Sequence, residues 1–238
     1  HVLNSVTLWD KPILSEKILW QYENKLDFLI NKGFKEEILN ELEIKYDPLH
    51  MRIIYPIRDI YGNLAGVSGG TTINAQPKYK LYDKGYTTKE NIYVSSPFGE
   101  WFDKEYPNYN LDYKTHCLWN MDKIYATLLY EREQKVYIVE GFKAALWLLQ
   151  NGYKNTIALM GSRLYYYQTI LLQRLDCTYY LMLDNDEAGK KGMSEIILKL
   201  FGTNRLRKVE YMQNQPDNLS IKDLHKAILT AQTVKGLK

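Results

Sequence analysis

Between residues 136 and 192 the chain alternates short apolar runs with amphipathic stretches. One run, Val136–Val139, ends at Glu140-Gly141, and a later one, Tyr179–Leu183, ends at Asp184-Asn185-Asp186. Apolar runs bounded by glycine and charge are the pattern of parallel strands buried on both faces, and their alternation with helical segments predicts βαβ units. Ligands of open α/β sheets sit outside the carboxyl ends of the strands. The pattern therefore brings Glu140, Asp184 and Asp186 to one edge. Hard oxygen donors with little positive charge between them suit Mg²⁺ or Mn²⁺, with substrate phosphate oxygens completing the shell. A lone Asp-x-Asp at a strand end is ordinarily a turn or a helix cap. The earlier Glu-Gly, in the same alternation, favours the metal.

At 238 residues, with 45% apolar and 25% charged content, the chain has room for one large or two small globular domains. No apolar run approaches the roughly 20 residues that span a bilayer, so no membrane partner is expected. Cys117 and Cys177 are isolated, which fits a reducing cytoplasm; this is the bacterial cytoplasm, or that of a host if the chain is phage-encoded. A start at His1 rather than Met fits a piece of a longer chain. The net charge is only +3, but residues 136–238 carry fourteen basic against nine acidic side chains despite the carboxylate edge. That bias suits a nucleic-acid partner without establishing one.

Residues 12–31 have apolar groups at three- and four-residue spacing and read as one helix, with Ser15 placed to cap its start. Gly33 breaks it, and a second helix is expected over Lys35–Leu42. Ile53, Tyr55 and Ile57 then alternate, a turn signal falls at Asp59–Asn63, and Leu64–Ser68 returns, which predicts a β-hairpin. Residues 80–117 interleave aromatic rings with Lys80, Lys84, Lys89, Lys104 and Lys114. Such interleaving occurs on single-strand binding surfaces, but an ordered structural insertion is the reading preferred here. Arg207–Tyr211 reads as a fourth parallel strand and Leu219–Ala231 as a closing helix.

The Glu140-Gly141 and Asp184-Asn185-Asp186 pair, followed by Glu187-Ala188-Gly189, resembles the Toprim domain shared by bacterial-type primases, type IA and type II topoisomerases and some nucleases. Upstream, Arg52, Tyr55, Pro56, Ile57, Arg58, Asp59, Gly62, Gly66, Gly69 and Gly70 follow the order of a motif that precedes Toprim in the bacterial (DnaG-type) primases alone among these. Gln76-Pro77-Lys78-Tyr79 and Leu118-Trp119-Asn120 are similar to two further primase motifs, and Asp217 matches the last carboxylate of a third. The resemblance spans roughly residues 20–235. It implies an α+β N-terminal subdomain over residues 1–135, which guides template and nucleotide, then an α/β Toprim domain over 136–238 with a parallel sheet of about four strands.

The implied activity is that of a DNA-directed RNA primase, a nucleotidyltransferase making short RNA primers from ribonucleoside triphosphates on single-stranded DNA. Asp184, Asp186 and Asp217 would hold Mg²⁺ or Mn²⁺, with Glu140 as a further ligand or as the acid–base group. Lys78, Arg52, Arg58 and Tyr79 would contact nucleotide or template. A replicative helicase and a zinc-binding module outside this chain are the implied partners. A Toprim-type nuclease and a non-catalytic nucleic-acid-binding scaffold are the alternatives. The chain departs from the family at Ala144 and Gln215, where primases commonly carry aspartate, which leaves the number of bound metals open. It departs again at Thr71, in place of an arginine. The Glu-Gly-Phe-Lys-Ala run at 140–144 is similar to phage-encoded primases.

Overall fold

The computed structural model describes residues 13–82, 113–132 and 134–235, together with Lys104 and the backbone of the strand pair Tyr86–Thr87 and Tyr93–Val94. The chain forms two compact units, one of residues 1–59 and 63–113, the other of 60–62 and 114–238. The second unit thus begins well before residue 136, where the sequence placed the domain boundary. The cause is local. Trp119 exchanges both backbone hydrogen bonds with Ala158 (3.0 and 3.2 Å), and the Asn120 side-chain amide donates to Thr156 O at 2.9 Å. Gln168, fully buried, donates to the carbonyls of Cys117 and Lys114.

In the first unit four strands, β1 (Lys45–Asp47), β2 (Arg52–Arg58), β3 (Leu64–Thr71) and β4 (Tyr79–Leu81), form an antiparallel sheet in sequence order. The expected hairpin is β2–β3, with a bulge between Ile57 and Arg58. Its turn is closed by Asn63, whose backbone and side-chain amides both donate to the Asp59 carboxylate at 3.0 Å. Both faces of the hairpin are buried, more than the alternation of Ile53, Tyr55 and Ile57 implied. The glycines explain how. A Cβ on Gly66 would lie 2.3 Å from the Tyr113 ring, and on the opposite face a Cβ on Gly69 would lie 2.6 Å from the Tyr82 ring. Each glycine opens a groove that a fully buried tyrosine fills. Of the 80–117 insertion, residues 83–85, 88–92, 95–103 and 105–112 lie outside the described residues.

The single helix expected over residues 12–31 is broken. A 3₁₀ turn over Glu16–Gln21, started by Ser15, whose hydroxyl accepts from Lys17 N at 3.3 Å, is followed by α1 (Asp27–Ile30) and α2 (Glu36–Glu41). Between the 3₁₀ turn and α1, Glu23 exchanges both backbone hydrogen bonds with Tyr46 of β1, at 2.8 and 2.7 Å. A segment bonded to a sheet edge cannot also bond to itself as a helix.

Helix α3 (Tyr113–His116) begins on the last residue of the first unit; the second unit continues with α4 (Met121–Tyr130) and then strand–helix pairs: β7 (Gln134–Val139), α5 (Phe142–Gln150), β8 (Thr156–Ala158), α6 (Tyr166–Gln173), β9 (Cys177–Leu181), α7 (Glu187–Leu200), β10 (Arg205–Lys208), α8 (Ile221–Leu229) and β11 (Gln232–Thr233); β5 and β6 are the two-residue strands Tyr86–Thr87 and Tyr93–Val94. The sheet order is β8-β7-β9-β10-β11. The first four strands are parallel, as expected, and β11 adds an antiparallel edge. The fourth strand lies two to three residues earlier than Arg207–Tyr211. Val136, Ile138, Val139, Ile157, Tyr179 and Leu181 are wholly buried and form the sheet's core. No helix among the described residues is long and apolar enough to cross a membrane.

Candidate metal and active site

Strand β7 leads to β8 on one side and β9 to β10 on the other, so the order reverses between the neighbours β7 and β9. At such a switch point two connections leave in opposite directions and open a crevice at the carboxyl ends. Glu140 follows β7 and Asp184 lies just past β9, on either side of that crevice. The Asp184 N–H donates to Glu140 Oε1 at 3.0 Å. Burial pushes the Glu140 carboxyl up to about 7, the negative charges of Asp184 and Asp186 add to the rise, and the bond from the Asp184 N–H opposes it.

Asp186 is also a helix cap, its Oδ1 accepting from Gly189 N at 2.8 Å at the start of α7. The bland reading of Asp-x-Asp is thus true of one oxygen and does not compete with the other. Gly189 is there for space, since a Cβ would lie 2.0 Å from Asp184 O and 2.6 Å from Glu140 Oε1. Only glycine lets α7 begin pressed against both acids.

The segment after β10 is stapled to the Asp184–Asp186 turn. Asn185 N donates to Asn214 O at 2.8 Å, Asn185 Nδ2 to Tyr211 O at 3.0 Å, and the Tyr211 hydroxyl to Leu183 O at 2.5 Å. Gln215 Nε2 donates to Asp184 Oδ2 at 2.6 Å. Asp217 sits half-buried on a 3₁₀ turn, Pro216–Asn218. The Tyr211 phenol is raised by burial first, then by Asp184, Glu140, Asp217 and Asp186. All four expected carboxylates therefore lie within electrostatic reach of one ring.

Among the described residues no three His, Cys, Asp or Glu side chains stand close enough to enclose an ion by themselves. The site is open on one side, with Asp186 exposed and Asp184 half-buried. A cleft of about 510 Å³ adjoins Asp184, lined by Lys190, Met193, Ser194, Lys208 and Tyr211 among others. Hard oxygen donors, crowded negative charge and an open side fit Mg²⁺ or Mn²⁺, which retain several waters and take substrate phosphate oxygens. They do not suit a closed protein cage.

One cation at this edge escaped the sequence reading. The Lys114 ammonium lies 3.3 Å from where a Cβ on Gly161 would stand, and Gly161 N donates to Glu140 O at 3.1 Å. In the sequence Lys114 is one of the lysines interleaved with aromatics. Its sole signal was its position just ahead of Leu118-Trp119-Asn120.

The four residues expected to contact nucleotide or template lie in the first unit. Arg52 is buried, its guanidinium donating to Gly69 O at 2.9 Å and to Pro77 O at 3.2 and 3.3 Å. It ties β2 to β3 and to the loop before β4. Arg58 is bracketed by Glu16 and Glu43, each 2.7 Å away. Both arginines thus have partners within the first unit. Lys78 is exposed, its ammonium 5.8 Å from the Tyr79 ring centre, and Tyr79 packs edge-on against Tyr55.

Residues 137–223 match the model of the Toprim-like family. The DNA primases of Staphylococcus aureus (strain COL) and Staphylococcus epidermidis are each 29% identical to the chain over 174 residues, covering 69% of it and 25% of the relative. The chain thus spans about a quarter of the length of these curated relatives. In fold it is similar to the zinc-binding and RNA polymerase domains of Aquifex aeolicus primase (TM-score 0.67, 17% identity, 92% of this chain and 60% of that one). It is likewise similar to a DNA primase domain from Pseudomonas aeruginosa (TM-score 0.68, 17%, 91% and 78%) and to a DnaG primase catalytic domain bound to ssDNA (TM-score 0.67, 16%, 92% and 77%). The second unit therefore carries a Toprim-like domain, with acids at the switch point of its sheet. In fold the chain is similar to DnaG-type primase catalytic cores.

Proposed function

We propose that this chain is the catalytic core of a DNA primase, a nucleotidyltransferase that joins ribonucleotides into short primers on single-stranded DNA with Mg²⁺ or Mn²⁺. The observation that carries the reading is the pairing of Glu140 and Asp184 across the crevice between β7 and β9. It has weight because the likeness to primase cores extends beyond the Toprim-like part to 92% of the chain. In the reaction a 3′-hydroxyl oxygen bonds to the α-phosphorus, the bond from that phosphorus to pyrophosphate breaks, and the hydroxyl proton is lost. A divalent cation supplies charge neutralisation and a more acidic hydroxyl when bound.

Asp184 and Asp186 are its ligands in this reading, with Asp217 beyond them. Glu140 joins them or takes the proton. Lys114 balances the negative charge of the triphosphate. Exposed Lys78 and half-buried Tyr79 are the contacts proposed for nucleotide or template in the first unit. A zinc-binding module and a replicative helicase outside this chain belong to the same proposal.

The test is incorporation of labelled ribonucleotides on mixed single-stranded DNA with Mg²⁺ or Mn²⁺, with a pre-labelled DNA strand in the same tube. Short RNA products should appear and fall at least about 100-fold in Asp184→Asn, the scale of removing a preorganised charged group at a reacting centre. Cleavage of the labelled strand without synthesis would replace this reading with a nuclease.

A further inference from the structure

At the sheet edge opposite the acids stand four side chains that the proposed chemistry does not use. Strands β7 and β9 are parallel neighbours, with Gln134 level with Cys177. Tyr130 ends α4 just ahead of β7, and Arg174 follows α6 just ahead of β9. Both therefore lie at the amino ends, a strand length from Glu140 and Asp184, which is about 20 Å for a strand like β7. Tyr125 is on α4 as well, and Tyr61 belongs to the same unit. The Tyr125 phenol is raised by burial first and then by Tyr61, while Arg174 opposes the rise and Tyr130 adds to it. Two further tyrosines and an arginine thus stand near one half-buried ring.

The cluster faces outward. Tyr130 is 83% exposed, Tyr61 74%, and Leu129, one turn after Tyr125, 51%; Arg174 is exposed too. Large exposed rings gathered in one place mark an interaction surface, and charge decides for which partner. The segments leading into β7, β8, β9 and β10, residues 131–135, 153–157, 174–178 and 202–206, carry five basic and three acidic side chains. This edge is cationic, whereas Glu140, Asp184 and Asp186 make the other anionic. Rings beside a guanidinium on a positive edge suit a single nucleic-acid strand, whose bases stack on the rings and whose phosphates meet the cations.

We propose that Tyr61, Tyr130 and Arg174, braced by Tyr125, form a stacking site for single-stranded DNA at the amino-end edge of the sheet, away from the edge where nucleotides join. The inference rests on the primase reading for the choice of DNA as the strand. The test is fluorescence anisotropy of the full chain with a labelled oligothymidylate of about 20 nucleotides, longer than a typical single-strand site. Metal and nucleotide are left out, so the acidic edge does not contribute. The double variant Tyr61→Ala, Tyr130→Ala should bind at least about tenfold more weakly, the scale of losing stacked bases, with its urea midpoint unchanged. The double variant Tyr61→Phe, Tyr130→Phe keeps both rings and should bind as wild type does. Arg174→Ala should flatten the slope of log affinity against log salt by about 0.7, one phosphate contact on a single strand. No binding by wild type, or equal affinity in the double alanine variant, would overturn the inference. If that variant also loses a self-association that wild type shows in sedimentation, the rings are a protein contact instead. Primer synthesis assayed in parallel separates the two readings. Synthesis lost in Asp184→Asn, beside equal affinity in the double alanine variant, overturns the stacking site alone, whereas ring-dependent binding without synthesis supports it and sinks the primase.

Discussion

Glu140 shows how one position couples fold and chemistry. Its carboxyl rises from 4.5 to about 7 because burial and neighbouring acids disfavour the charged form. A group whose pKa is raised on folding lends stability that is full below its unfolded value and is lost as pH climbs through the folded one. The metal-free chain should therefore lose stability between pH 4.5 and 7, read as a falling urea midpoint. Glu140→Gln should flatten that decline, and Mn²⁺ should remove it in wild type. Gly189 makes the steric counterpart. In an ordinary helix Gly→Ala gains about 1 kcal/mol, but here the added carbon meets Asp184 O at 2.0 Å. Gly189→Ala should instead cost about 2 kcal/mol or more in denaturant unfolding, as overpacked sites do, and weaken Mn²⁺ binding with it.

At the scale of elements, the β2–β3 hairpin depends on rings that arrive from far along the chain. Tyr82, fully buried, donates its hydroxyl to Asp47 Oδ2 at 2.7 Å, and Asp47 is itself buried. Tyr82→Phe should destabilise the first unit by about 1–3 kcal/mol, the usual penalty for stranding a buried acceptor, while leaving Mn²⁺ binding at the other unit unchanged in titration. The strand order of the hairpin was legible from alternation and its turn residues. The double burial was not, because Tyr82 and Tyr113 fill grooves that only the folded sheet creates. Nor was the break in the first helix, where local spacing favoured one continuous element and pairing of Glu23 with Tyr46 overrode it. Nor were the partners of Arg52 and Arg58, since the Gly69 and Pro77 carbonyls and the Glu16 and Glu43 carboxylates reach them only through the folded sheet.

Across the whole molecule the division at residue 114 has a measurable consequence. A fragment of residues 114–238 keeps the bonds from Trp119 and Asn120 to β8, those of Gln168 to Lys114 and Cys117, and the edge-on packing of Trp119 on Phe142 at 5.4 Å. A fragment of residues 134–238 strands their partners. It should be less stable by about 3 kcal/mol or more, at roughly 1 kcal/mol for each lost bond, as measured by urea unfolding. Sequence by itself determined which segments become parallel strands and that acids end two of them, because buried strands need apolar runs and strand ends need polar stops. Only the tertiary structure decided that β7 and β9 are neighbours, that Lys114 joins their edge, and that Gln215 faces Asp184 rather than solvent. Those facts follow from non-local pairing and packing, in which residues distant in the chain compete for the same space and the same hydrogen bonds.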